Sequence, residues 1–143
     1  MKDSAAYNRL SIEYAKDMVW EKRWNILDDQ LYILAKQHRR IARLAEHGID
    51  YVITDSPIAL GLVYLKPGSL GDHFPELTIE VFNKFDNLNY LLTRAFPYDP
   101  VGRAQKDITE AEEFDRKVSA LLANYDVGFQ RISGGEQAVV TIL

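Results

Sequence analysis

The sequence predicts a single α/β domain with a mainly parallel sheet, and three observations carry that expectation. "DYVITD" and "LNYLLTRAF" are apolar runs of strand length, each closed abruptly by a charged residue. Apolar residues recur at helical spacing from Asp28 and again from Thr109, so strand-like and helix-like segments alternate. The 143 residues suffice for one domain, 1–143, with a buried core.

Taken in order, "YNRLSIEY" reads as a short strand, and "EYAKDMVWEKRW" carries Tyr14 and Met18 along one helical side. A strong helix follows, in which Leu31, Leu34, His38, Ile41 and Ala45 form the apolar stripe. Asp28 is its expected N-cap and Gly48 its stop. In "DYVITD", Tyr51, Val52 and Ile53 are apolar enough for a strand buried on both faces. Pro57 then opens a helix through "IALGLVYL", with Ser56 or Asp55 as its cap. "KPGSLGDHFP" is turn-rich. Pro75 opens a helix through "ELTIEVFNKF", although Thr78, Ile79 and Val81 leave a strand as an alternative. A second buried strand ends at Arg94, and "PYDPVGRAQKD" is a loop. Thr109 and Glu112 are spaced as a capping box, after which Phe114, Val118, Leu121 and Tyr125 line one helix face. "VGFQRI" is a short strand, "SGG" a break, and "EQAVVTIL" a final amphipathic or buried segment.

Composition narrows the function classes. Hydrophobic residues make up 47% and charged residues 27%, the mix of an ordinary soluble domain. The net charge of −4 argues against direct nucleic-acid binding, which expects a basic footprint. The lack of cysteine excludes disulfides, thiolate metal sites and Cys nucleophiles, and the three histidines, His38, His47 and His73, have no metal-ligand spacing. No apolar run is long enough to span a membrane and no signal core opens the chain, so a cytoplasmic protein is expected.

Four segments in order, "EYAKDMVWEKR", "DDQLYILAKQHRRI", "DYVITDSPI" and "LNYLLTRAFPYDPVGRAQ…EAEEFDRKV", give the chain a family resemblance. From about residue 9 to the "GGEQAVVTIL" tail it resembles the P-loop nucleotide kinase-like proteins of bacteriophages, relatives of deoxynucleoside and nicotinamide-riboside kinases. The resemblance implies a three-layer domain. It also implies roles by position: Glu13 as the carboxylate polarising a substrate hydroxyl, Gln30 and Gln37 on the helix lining the acceptor pocket, and Asp55 as the acid near magnesium. Arg94 and Arg103 would be lid arginines, with "VGRAQ" as the lid. Phosphoryl transfer needs this kind of positioning and charge stabilisation more than covalent chemistry.

The phosphate-binding motif G-x-x-x-x-G-K-[ST] is nevertheless missing from these residues: none of the eight lysines follows a glycine. "PGSLGDHF" has glycines but no Lys-Ser/Thr. Only about a dozen residues precede "EYAKD", where a strand, loop and helix would need roughly 30. Each lost transition-state contact of this type costs about 3 kcal/mol. The expectation is therefore a truncated P-loop-kinase-like domain whose sheet lacks its usual central first strand. The strand edges left unpaired would pair directly, pair with the N-terminal segment, or be covered by another chain, as in a homodimer.

Each candidate residue also has a plainer reading. Asp55 would serve as a helix cap, and Glu13 as a solvated acid. Arg94 and Arg103 would pair with Asp99, Asp107 or Glu110. Lys36, Arg39, Arg40 and Arg43 give one helix a basic face, either solvated or a site for a partner or phosphate. Trp20 and Trp24 lie four apart, as on a core or partner-binding face, or a stacking platform. The functional expectation is a non-catalytic protein-binding domain without cofactor, acting for instance as a phage inhibitor of a host defence or replication complex. The alternative is a nucleoside- or nucleotide-binding protein or residual kinase that uses magnesium and ATP in a pocket around Glu13, Gln30, Asp55 and Arg103. A truncated gene product is the third reading.

Overall fold

The computed structural model describes the backbone of residues 8–11 and the whole of residues 26, 28–99 and 105–142. The chain divides into two compact units, residues 1–84 and 85–143. The expected helix around Tyr14 and Met18 lies outside the described residues.

In the first unit, β1 (Asn8–Ser11) pairs in parallel with β2 (Tyr51–Thr54), in the register Asn8 to Tyr51 through Ser11 to Thr54. Parallel partners require a crossover, and α1 (Gln30–Ala45) lies in that connection, packed against both strands. The cap of α1 is Asp29 rather than Asp28: its Oδ1 accepts from the Tyr32 N–H at 3.0 Å. Asp28 instead pairs with Lys66 at 2.6 Å. The buried stripe is also rotated from the expected one. Gln30, Ile33, Leu34 and Gln37 face inward at helical spacing, whereas Leu31 is 51% exposed. At the other end Gly48 takes a φ of +70°, suited to glycine, and its N–H bonds the Ala45 carbonyl.

Beyond β2, Thr54 Oγ1 accepts the Ser56 N–H and donates to the Ser56 carbonyl, both at 3.2 Å. This turn leads into a 3₁₀ helix, Ile58–Tyr64, on which α1 and α2 (His73–Phe82) both pack. No side chain caps the 3₁₀ helix, so the capping role expected of Asp55 or Ser56 is not filled. Pro75 sits in the first turn of α2, which settles the helix-or-strand ambiguity of that segment as helix. The unit's buried apolar side chains among the described residues are Ile33, Leu34, Ile58, Ala59, Phe74 and Phe82.

The expected two-sided burial of β2 does not occur. Tyr51 and Ile53 are 57% and 40% exposed, while Val52 and Thr54, on the opposite face, are half-buried. A parallel strand is dry on both sides only where helices cover both faces.

In the second unit, β3 (Tyr90–Thr93) pairs in parallel with β4 (Gln130–Ser133), from Tyr90 to Gln130 through Thr93 to Ser133. Leu92 is 53% exposed, so this strand too is covered less than its sequence predicts. The connecting helix α3 (Ile108–Asn124) is capped two residues before the predicted Thr109–Glu112 box. Asp107 accepts the Glu110 N–H at 2.9 Å, and Glu110 reaches back to the Lys106 N–H at 2.8 Å. Of the α3 face expected inside, Phe114, Val118 and Leu121 are half-buried and Tyr125 is exposed; Ala111 is the buried residue. A short α4 (Gln137–Ile142) packs on β4. Among the described residues, the strands form these two separate two-stranded sheets.

Candidate functional site

The buried face of α1 is the most unusual chemistry in the first unit. In an otherwise apolar stripe, Gln30 and Gln37 stand seven residues apart, 4% and 6% exposed. Burying a carboxamide is costly unless its polar atoms are satisfied, and no fully buried side-chain nitrogen or oxygen among the described residues lacks a hydrogen-bond partner. Gln30 lies against the 3₁₀ helix: a Cβ built on Gly61 would stand 3.0 Å from Gln30 Oε1. The oxygen ends a flexible side chain, so a larger residue at position 61 would require it to give way by a few tenths of an ångström. A carboxamide offers both a donor and an acceptor, which suits it to the edge of a nucleobase, but it brings no charge to neutralise a phosphate.

Asp55 immediately follows β2, at the carboxyl end where open α/β sheets bind ligands. Its side chain is exposed, and Ser56 beside it is 6% exposed. Asp55, Gln30 and Gln37 thus belong to one unit and are linked by the packing of α1 on the helix that follows the Asp55–Pro57 turn. Glu13, Trp20, Trp24 and Arg103 lie outside the described residues. No three His, Asp or Glu side chains among the described residues converge as metal ligands.

Arg94 belongs to the second unit and is engaged there. Its Nη1 lies 2.6 Å from Asp115 Oδ2, and its Nη2 donates to the Ala111 carbonyl at 3.1 Å. The guanidinium also sits 5.8 Å from the Tyr98 ring centroid. The sequence pointed to Asp99, Asp107 or Glu110 as partners; Asp115 takes that place because it lies one turn beyond Ala111 on the same side of α3. The arrangement ties the end of β3 to α3. Arg94→Ala should therefore destabilise the protein by about 1.5–3 kcal/mol, the usual worth of hydrogen bonds to a charged group. A denaturant titration checks this, and a midpoint unchanged from wild type would remove the structural role.

The basic face of α1 is where the sequence places it. Lys36, Arg39 and Arg43 are exposed and Arg40 is half-buried. Two buried polar residues, Ser56 and Thr78, had no distinguishing signal in the sequence. Thr78 is 1% exposed and donates to the Phe74 carbonyl at 2.9 Å, a bond that becomes visible only once the segment is known to be helical.

Among the described residues, no helix is long and apolar enough to cross a membrane. No protein-family model, no curated protein and no solved structure matches the chain.

Proposed function

We propose that the chain is a non-catalytic protein-binding domain on a P-loop-kinase-like scaffold, acting by surface contact with another protein, such as a bacterial complex that a phage inhibits. The observation that carries this reading is the thin core of residues 85–143. Among that unit's described residues, the buried apolar side chains are Ala111, Val127 and Ala138. Leu88, Leu92, Phe96, Val139 and Val140 are 53–73% exposed. Full burial of a side chain of that size is worth about 1.5–3 kcal/mol, so such exposure favours a covering partner. The 143 residues encode no Gly-Lys step to cradle a phosphate.

The test is a calorimetric titration of the folded protein with magnesium-ATP, nucleosides and nucleoside monophosphates to roughly 1 mM, the top of the usual substrate range. The expected result is no saturable heat. A parallel capture from bacterial lysate should retain a partner that the Val139→Asp/Val140→Asp variant loses.

The buried Gln30 and Gln37 favour one second reading, a nucleoside-binding pocket beside Asp55. Saturable nucleoside binding that Gln37→Ala abolishes, in a variant that keeps its helical content, would put this reading first.

A further inference from the structure

We infer that the exposed face of α1 is a docking site for an acidic helical segment of a partner protein, an inference that rests on the protein-binding reading above and names the chemistry of the partner. Four of the chain's 17 cations lie in α1, and none of its 21 carboxylates does. Tyr32, Lys36, Arg39 and Arg43 follow one another at steps of four, three and four, which places them in one line along the helix. With a rise of about 1.5 Å per residue, the cations from Lys36 to Arg43 span about 10 Å.

Within this array Lys36–Arg39, Lys36–Arg40, Arg39–Arg43 and Arg40–Arg43 are all at i,i+3 or i,i+4 spacing, where like charges repel. No carboxylate among the described residues pairs with Lys36, Arg39 or Arg43. Arg43 gains from the helix dipole in the last turn, whereas Lys36 and Arg39 lie too far from the C-terminus to share that gain. An array that weakens its own helix and faces outward is complementary to an anionic surface.

The neighbouring side chains decide which anion. Leu31 is 51% exposed and Tyr32 39% exposed, so the line begins with an apolar end. The Lys36 ammonium stands 5.3 Å from the Tyr32 ring centroid, so one face of that ring is taken by a cation–π contact within the chain. A phosphate backbone would meet at most four cations, a salt slope of about −3.6 from counterion release, and would leave Leu31 without a partner. An acidic amphipathic helix answers the whole line. Its carboxylates at the same four–three–four steps accept the arginine forks, and an apolar residue at its end covers Leu31 and Tyr32.

The test uses the full chain and a fluorescent helical peptide of roughly 18 residues, carrying Leu and then three Glu at those steps. Saturable binding is expected, weakening as salt rises. Arg39→Glu/Arg43→Glu should reduce it roughly tenfold or more and should gain affinity for the matching lysine peptide. Arg39→Gln/Arg43→Gln, with less like-charge repulsion to disturb the helix, should give a smaller loss, and circular dichroism should be unchanged in both. Absence of binding to the glutamate peptide overturns the assignment, as does binding that neither variant weakens. Tighter binding of an oligothymidylate of roughly 20 nucleotides through the same arginines overturns it in favour of nucleic acid, and tighter binding of phosphatidylserine vesicles does so in favour of a membrane surface. Nucleotide heats on the same sample would instead undo the protein-binding reading, so the two failures are distinguishable.

Discussion

Phe82→Ala should cost about 3–5 kcal/mol of stability, the usual penalty for removing a buried phenylalanine and leaving a cavity. Phe82 is 4% exposed, at the last position of α2. Phe74, Thr78 and Phe82 recur every fourth residue and are the buried residues of that helix. α2 packs on the 3₁₀ helix, whose buried residues are Ile58 and Ala59. Six apolar side chains make up the buried set of the first unit among the described residues, so there is little surrounding core to collapse into the space. The measurement is a urea titration monitored by far-ultraviolet circular dichroism. Leu77→Ala is the control, since Leu77 is 46% exposed on the same helix and its truncation should cost well under half as much. Equal midpoint shifts for the two variants would mean that the contact between α2 and the 3₁₀ helix does not organise this core.

Helix existence was legible in the sequence, while helix rotation and strand burial were not. The period from Asp28 identified α1 because a 16-residue amphipathic segment has few alternatives. Its rotation differs from the apolar period because Leu31 and Ala45 are exposed, while the inward positions include Gln30 and Gln37. A polarity pattern has no means of recognising a buried carboxamide. The same limit applied to β2. Three apolar residues in a row imply a strand covered on both sides, but coverage depends on which elements lie above and below it, and Tyr51 and Ile53 remain exposed. The caps were displaced by one or two residues because acidic residues adjoin the helix starts: Asp28 beside Asp29, and Asp107 just before Thr109. Candidate site residues were legible as residue types at positions. Arg94 shows the limit of that, since its partner Asp115 becomes apparent only when β3 and α3 are placed side by side.

Gly134→Ala should disrupt the end of the β3–β4 pair more than any exposed substitution in the second unit. The Gly134 N–H donates to the Thr93 carbonyl at 2.8 Å, extending the parallel pairing one residue past Ser133. A Cβ at this position would stand 2.9 Å from that same carbonyl oxygen and 3.7 Å from Leu92 Cβ. The oxygen belongs to the backbone of the neighbouring strand, so it cannot swing away as a side chain would. The chain must then lift off Thr93 and lose the hydrogen bond. Crowding of about 1–3 kcal/mol and a hydrogen bond worth about 1 kcal/mol act in the same direction. Gly135→Ala is the matched control, because its Cβ would meet Ala95 Cβ at 3.8 Å and Ser133 Oγ at 4.0 Å, both ordinary contacts. Urea titration should thus separate two adjacent glycines that are indistinguishable in the sequence "SGG". α4 begins three residues beyond Gly134, packs on β4 and carries the exposed Val139 and Val140. If those valines contact a partner, Gly134→Ala should also weaken capture of that partner and Gly135→Ala should not. Loss of capture in both variants would trace it to the local sequence instead of to the seating of α4 on the strand.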